Sequence, residues 1–281
     1  MTDSDKSPAP GAAPDAKGIL IRRHGLLTRV SHWAWVIAIF MLVPTGLQIF
    51  NAHPTLYIGQ QSGFAFDNAV LEIGARQGTK GPEGYTVLFG QRLDTTGFLG
   101  LSGGATRPDA VAFPGSMTIP SFRDLATGRV VHFFFAWVLV GALALWLISA
   151  LFTRHWRALV PTAADVRSLP RDLTAHARFR FPRHRTYSPL QKLTYFSVLG
   201  VLLPLIILSG LAMSPAMNAG WPWLIDLFGG RQTARTIHFA AMVLMALFVL
   251  IHVVMVVLAG PINLMRSMIT GRYRIDREAG P

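Results

Sequence analysis

The chain has 281 residues, 51% of them hydrophobic and 14% charged, with a mean hydropathy of +0.40, which is typical of a membrane protein rather than a soluble domain. The complete lack of cysteine excludes disulfides, iron–sulfur clusters, thiolate zinc sites and covalent attachment of c-type haem. The net charge of +12 would suit nucleic acid, but the basic residues cluster beside apolar runs, so we expect no nucleic-acid partner.

The two ends of the chain are predicted to be tails. Residues 1–18 are rich in Ala, Pro, Asp and Ser and lack the basic and apolar regions of a signal peptide. We therefore expect a disordered cytoplasmic tail there. Residues 19–275 form the predicted membrane domain, and residues 276–281 form a second cytoplasmic tail.

Four apolar runs are each long enough to cross a bilayer core of about 30 Å as a helix. They predict an all-α membrane protein, a bundle of four transmembrane helices near residues 30–50, 130–152, 194–213 and 237–259. Residues 51–128 contain no spanning run and are rich in Gly, Pro and aromatic residues. We interpret them as a long extracytoplasmic insertion between the first two helices.

Lysine and arginine near the helix ends predict the orientation. The amino terminus, the connection from Arg154 to Lys192 and the carboxyl terminus are all rich in arginine. Such segments remain in the cytoplasm, so both termini are predicted to be cytoplasmic and the insertion to face outward. Contact with anionic membrane lipid is the ordinary role of these arginines.

The last apolar run carries two histidines, His238 and His252. They are 14 residues apart, which is nearly a whole number of helical turns and a rise of about 21 Å. They therefore share one face of the helix, one near each leaflet. An imidazole is costly to hold in hydrocarbon without a partner, so both histidines indicate a functional site.

Two other histidines lie at matching depths. His32 is near the cytoplasmic start of the first helix, and His132 is near the outer start of the second. Because the fourth helix runs inward, His132 is predicted to pair with His238 in the outer leaflet. His32 is predicted to pair with His252 in the inner leaflet.

Three of these histidines follow an arginine in the pattern Arg-x-x-His. The three pairs are Arg29 with His32, Arg129 with His132, and Arg235 with His238. Each arginine lies one turn outward on the same helical face, where it can reach the interface and meet an anion whose apolar body lies deeper. A haem fits this description, because its iron takes imidazole nitrogens and its edge carries two propionates. His252 has no such arginine, so the inner haem would use Arg29 or other cytoplasmic arginines.

Two haems that each take two histidines leave no open position at iron, which favours electron transfer. Three alternatives remain. A membrane histidine often makes only a hydrogen bond between helices, and zinc also takes imidazole, although two histidines without a nearby carboxylate argue against zinc. A haem-free transporter or scaffold is the third, and the lack of intramembrane Asp or Glu and of an inverted repeat argues against it.

The other histidines receive weaker interpretations. We expect His24 in a solvated loop, with a role in proton transfer or in a quinone pocket as the alternative. His53 either caps the turn at Pro54 or contacts the outer haem edge or a partner. The histidines expected to face solvent among arginines are His155, His176 and His184.

The Arg-x-x-His-Trp motif of residues 29–33, together with His132, His238 and His252, resembles a known family. It is similar to the dihaem cytochrome b subunits of bacterial formate dehydrogenases, nickel–iron hydrogenases and thiosulfate reductases, over residues 20–275. The resemblance implies a subunit of the bacterial inner membrane that anchors a catalytic partner and passes electrons between it and membrane quinone. It implies two haem b groups, with the histidine pairs that depth predicts.

Residues 51–54 and 118–129 resemble the thiosulfate-reductase-like branch of this family. The resemblance implies an extracytoplasmic partner, either a molybdopterin-type subunit or another oxidoreductase, which the insertion would dock. Some relatives with this helix pattern instead resemble a freestanding quinone-coupled oxidase of a small reductant such as superoxide. Both functions remain open from the sequence.

Overall fold

The computed structural model describes residues 19–63, 67–79, 81–104, 108–181 and 186–275. The two predicted tails, residues 1–18 and 276–281, lie outside the described residues, and so does His184. The helices are α1 (Leu26–Phe50), α2 (Leu125–Phe152), α3 (Ala163–Ala177), α4 (Pro189–Tyr195), α5 (Leu203–Ala212), α6 (Pro215–Gly220), α7 (Trp223–Leu227), α8 (Arg231–Leu258) and α9 (Pro261–Thr270). The strands are β1 (Ile19–Arg22), β2 (Thr55–Tyr57), β3 (Ala69–Gly78), β4 (Gly81–Leu88), β5 (Gln91–Asp94) and β6 (Arg272–Ile275).

Four helical spans are long and apolar enough to cross a membrane, as the sequence predicts. They are α1, α2, the continuous stretch Pro189–Ala212 and α8. In the third span, α4 and α5 are joined by a π-helical segment over Phe196–Leu202. We call Pro189–Ala212 the third span below.

Helix α2 begins five residues before the predicted apolar run because Asp124 caps it. The Asp124 carboxylate accepts a hydrogen bond from the backbone N–H of Thr127 at 3.0 Å. Such a cap satisfies one of the N–H groups that the first turn of a helix leaves unpaired. As a result, Arg129 and His132 both lie on regular helix near the start of α2.

The bundle packs through apolar contacts in its centre and exposes apolar side chains on its outside. Helix α1 packs along α2, and α5 packs along α8. On the outside, the side chains of Phe40, Trp137 and Leu250 are 72%, 65% and 62% exposed. A continuous apolar exterior of this kind is suited to contact with lipid. The buried central cluster contains Ala38, Leu139, Leu143, Trp146, Ala150, Leu159, Leu203 and Met245.

The segment between α1 and α2 folds into a four-stranded antiparallel sheet in the order β2-β3-β4-β5. The all-α prediction holds for the membrane bundle and is wrong for this segment. Strands β3 and β4 mix half-buried with exposed positions and carry several glycines, so they contain no continuous apolar run. A search for membrane-spanning runs therefore does not detect them.

A second small sheet joins the two ends of the described chain. Strands β1 and β6 pair antiparallel, with Ile19 opposite Ile275 and Arg22 opposite Arg272. We call the end of the bundle near this sheet the termini end, and the end that carries the β2–β5 sheet the insertion end. The sheet at the termini end was not predicted either.

The insertion is attached to the bundle by an apolar cluster and by a pair of amide hydrogen bonds. Asn51, just after α1, donates to the Phe113 carbonyl at 2.9 Å and accepts from the Phe113 N–H at 2.8 Å. This reciprocal pair fixes the return of the chain beside the end of α1. The apolar cluster contains Leu47, Phe50, Leu56, Ile73, Ala112 and Phe113.

Replacing Asn51 by Ala should loosen the insertion. The change leaves the partly buried N–H and C=O of Phe113 unpaired, which costs about 1–3 kcal/mol. Limited proteolysis of the detergent-solubilised protein should then cleave the insertion roughly tenfold faster, because cleavage follows the population of the open form. Gln77→Ala, at an exposed position of β3, is the control. Equal cleavage rates for the two variants would contradict this role of Asn51.

Candidate functional site

Two histidines meet at the insertion end of the bundle. His132 on α2 and His238 on α8 have ring centroids 6.5 Å apart, with an angle of 65° between the ring planes. Each lies near the start of its helix, one turn after an arginine. We call these two residues the insertion-end pair.

Two more histidines meet toward the termini end. His32 on α1 and His252 on α8 have ring centroids 6.4 Å apart, with an interplanar angle of 58°. The His252 ring also stacks on Phe248, with 5.7 Å between centroids. We call His32 and His252 the termini-end pair. The structure thus brings the four histidines together as the sequence pairs them by depth.

The separation within each pair suits one metal ion held between two imidazoles. An imidazole nitrogen lies about 1.1 Å from its ring centroid and a metal–nitrogen bond is about 2 Å long, so two imidazoles on opposite sides of one ion have centroids about 6.2 Å apart. The observed 6.5 and 6.4 Å are close to this value. Among the described residues, no group of three or more His, Cys, Asp or Glu side chains could hold a metal ion. Each pair is therefore a two-imidazole site, which fits a haem iron held by two axial histidines.

Neighbouring helices hold the rings of the insertion-end pair. The Nδ1 atom of His132 lies 3.1 Å from the Thr45 hydroxyl of α1. The Nδ1 atom of His238 lies 3.2 Å from the Ser209 hydroxyl of α5 and 2.9 Å from the Ile206 carbonyl. These contacts use Nδ1 and leave Nε2 as the nitrogen available to a metal ion.

The sequence analysis missed Thr45 and Ser209, although a signal for both was present. Each is followed by glycine and leucine, as Thr45-Gly-Leu47 and Ser209-Gly-Leu211, late in the first and third spans. The same pattern, a polar residue followed by glycine within an apolar run, occurs in both spans. This repetition indicates that both positions pack against a similar neighbour. Only the structure shows that this neighbour is a histidine ring in each case.

The three predicted arginines have different surroundings. Arg29 donates to the Ile269 carbonyl at the end of α9, and Arg235 donates to the carbonyls of His53 and Thr55, the latter at 2.9 Å. Both side chains therefore also tie a helix of the bundle to another segment. The Arg129 guanidinium lies over the Phe133 ring, 5.7 Å from its centroid, and makes no side-chain hydrogen bond within the described residues.

Three of the remaining histidines are less solvated than the sequence predicts. His24, expected in a solvated loop, is half-buried, and its Nδ1 has no partner within the described residues. His155 and His176, expected to face solvent, are also half-buried. His53 is exposed, and its ring stacks on Tyr57 with 5.7 Å between centroids.

A cavity of about 460 Å³ opens at the termini end. Burial, together with the neighbouring Arg23 guanidinium and the His155 ring, lowers the pKa of the adjacent His24 to about 4. Burial also lowers the pKa of His155 and raises the pKa of the Tyr187 phenol. At this cavity, the rings of His24, His155 and Tyr187 are therefore favoured in their uncharged forms, next to the charged guanidinium groups of Arg22 and Arg23. Its lining residues are Ile21, Arg22, Arg23, His155 and Tyr187.

The low pKa of His24 predicts a dependence of stability on pH. The folded-state pKa of about 4 lies below the ordinary value of 6.5, so the unfolded chain binds more protons between these values. This contribution to stability is fully present above pH 6.5 and is lost as the pH falls toward 4. His24→Gln should therefore lose less thermal stability between pH 7 and pH 5 than the wild-type protein does, as measured by unfolding in detergent. The same loss in both proteins would contradict the burial of a neutral His24.

Comparison with known proteins gives two matches. The family model described as prokaryotic cytochrome b561 matches residues 23–271. A protein of Azospira oryzae named "Putative protein-methionine-sulfoxide reductase subunit YedZ1" is 26% identical over 234 residues, which cover 82% of this chain and 87% of that protein. The residues matched by the family model include all four spans and all four paired histidines.

Proposed function

Since the chain belongs to the prokaryotic cytochrome b561 family, we propose that it is a membrane cytochrome b that holds two haem b groups and passes electrons across the bilayer. Family membership makes the chain a membrane protein that binds haem b and serves electron transport. The number of haems, their ligands, the orientation and the electron partners are the parts that we propose here.

The observation that carries the proposal is the presence of two histidine pairs with nearly the same separation. The two rings of each pair, with centroids 6.5 and 6.4 Å apart, would be able to hold one iron between them. When bound, haem b supplies reversible one-electron oxidation and reduction of its iron. Two histidines would hold each iron, which would leave no position on it for a substrate. The protein residues therefore orient the haems and adjust their potentials, and electron transfer is the chemistry that this arrangement favours.

The arginines supply positive charge at the rims of the two sites. We assign Arg129 and Arg235 to the propionates of the insertion-end haem and Arg29 to those of the termini-end haem. A guanidinium near a carboxylate forms a strong, charge-assisted hydrogen bond. The Arg129 side chain makes no hydrogen bond within the described residues, so its donors are available to a propionate.

The electron partners are proposed to lie on opposite sides of the membrane. The Azospira oryzae protein is named as a reductase subunit, which supports a separate catalytic subunit for this chain as well. We assign that subunit, of the molybdopterin type or another oxidoreductase, to the extracytoplasmic face, where residues 51–128 would dock it. Membrane quinone would exchange electrons with the termini-end haem, and the termini would lie in the cytoplasm of a bacterial cell.

Substituting the paired histidines should remove one haem at a time. His132→Ala or His238→Ala should lower the haem content from two to one per chain by removing an insertion-end ligand. His32→Ala or His252→Ala should do the same at the termini end. Pyridine haemochrome assay of the purified protein measures this content, and the visible spectrum shows which component is lost.

His176→Ala is the matched control, because His176 is a half-buried histidine on α3 that belongs to neither pair. It should retain two haems per chain. Unchanged haem content in all four pair variants would refute the assignment of the ligands. One haem per chain in the wild-type protein would refute one of the two sites.

The proposed orientation can be tested with single cysteines, because the sequence contains none. Thr79→Cys, exposed beside β3, should react with a membrane-impermeant maleimide in spheroplasts. Ser168→Cys, exposed on α3, should react only after the membrane is permeabilised. Both positions lie outside the membrane helices, so neither change should affect haem content. The reverse labelling pattern would show that the insertion faces the cytoplasm.

A further inference from the structure

The insertion-end pair is held by the same arrangement twice. On α1, Thr45 presents its hydroxyl to His132 of α2, and on α5, Ser209 presents its hydroxyl to His238 of α8. Both Thr45 and Ser209 are fully buried, with 0% exposure. The same contact between a buried hydroxyl and a ring nitrogen thus occurs twice, between α1 and α2 and between α5 and α8. The repetition indicates that both hydroxyls have the same role.

The backbone sets the direction of these hydrogen bonds. The Thr45 hydroxyl lies 2.6 Å from the Met41 carbonyl, and the Ser209 hydroxyl lies 2.7 Å from the Leu205 carbonyl. A carbonyl can only accept, so each hydroxyl donates its proton to the helix backbone and is left to accept from the histidine. The Ile206 carbonyl, 2.9 Å from His238 Nδ1, requires the same direction. Nδ1 therefore carries the proton, and Nε2 offers its lone pair.

The glycine after each hydroxyl residue makes room for the ring. A Cβ atom on Gly46 would lie 3.3 Å from Cε1 of His132, and one on Gly210 would lie 3.2 Å from Cε1 of His238. Both distances are shorter than ordinary van der Waals contact. Each imidazole thus packs against the backbone of a glycine, while the hydroxyl of the preceding residue contacts its Nδ1 atom. The glycine contact fixes the position of the ring, and the hydroxyl contact fixes its tautomer.

The termini-end pair lacks this support. Nδ1 of His32 is buried and has no hydrogen-bond partner within the described residues. The adjacent Ser31 hydroxyl is also buried, with 0% exposure, and likewise has no partner there. A hydroxyl is thus present beside this pair as well, but it does not meet the ring.

We propose that Thr45 and Ser209 are positioning residues that lower the midpoint potential at the insertion end relative to the termini end. An imidazole that donates from Nδ1 to a good acceptor is a more basic ligand at Nε2, and a more basic ligand stabilises the oxidised iron. These contacts thus shift the insertion-end potential in the direction that favours electron flow toward the termini end. The inference depends on the proposed function, because it takes His132 and His238 as ligands.

The test is a redox titration of the full-length holoprotein, followed in the visible spectrum. Thr45→Val and Ser209→Ala remove one hydroxyl each with little change of shape. Each should raise one of the two midpoint potentials and leave the other unchanged. The expected effect is about a fivefold change in the reduction equilibrium, which for one electron is about 40 mV. It is partial because the second hydroxyl remains in each variant, and in Ser209→Ala the Ile206 carbonyl remains beside His238.

Two kinds of control separate hydrogen bonding from packing. Thr45→Ser and Ser209→Thr keep the hydroxyl and should restore the wild-type potential. Ser31→Ala removes a buried hydroxyl that meets no ring and should move neither potential. The low-spin EPR signal of one haem should change in Thr45→Val and Ser209→Ala but in none of the controls, since the orientation of the imidazole rings determines that signal.

The outcomes distinguish this inference from the proposed function. Two haems with unmoved potentials in both hydroxyl-free variants would overturn the inference and leave the haem ligands intact. Equal shifts in Thr45→Ser and Thr45→Val would also overturn it. Loss of one haem in Thr45→Val, with full binding in Thr45→Ser, would support the positioning role in its strongest form. A wild-type protein that holds no haem at the insertion-end pair would refute the part of the proposed function on which the inference depends.

Discussion

The arrangement of the bundle is tied to one interaction, the meeting of four imidazoles in two pairs with nearly the same separation. Helix α8 contributes one histidine to each pair, His238 and His252, so it is the common element of both sites. The other members come from different helices, α2 and α1. The bundle must therefore hold both of these helices in register with α8 at two depths, and the packing of α1 along α2 makes this possible.

The insertion adds rigidity at the end where the first pair lies. Arg235, one turn before His238, donates to the carbonyls of His53 and Thr55, so the start of α8 is tied to the chain that leaves α1. Asn51 holds the returning chain beside the same helix end. The insertion thus fixes the relative height of α1 and α8.

The sequence predicts the four spans and which histidine rings meet, because hydropathy and helical period are local properties of the chain. That these rings bind haem stays a prediction. The sequence does not predict what surrounds the rings. Whether Thr45 meets His132 depends on the rotation of α1 against α2, and the carbonyls that receive Arg235 depend on the path of the insertion. The β2–β5 sheet is missed because short, glycine-containing strands have no long apolar run. Interactions between distant segments are thus the part that one sequence leaves open.

The pairing of β1 with β6 has a consequence for biogenesis. Strand β1 precedes all four spans and its partner β6 follows them, with Ile19 opposite Ile275, so this small sheet forms only after every span has been synthesised. The Arg29 guanidinium likewise reaches its acceptor, the Ile269 carbonyl, only after α9 has been synthesised. Strand β1 therefore lacks its partner while the spans are being synthesised, and its pairing with β6 follows them. A chain that ends before Arg272 lacks this sheet.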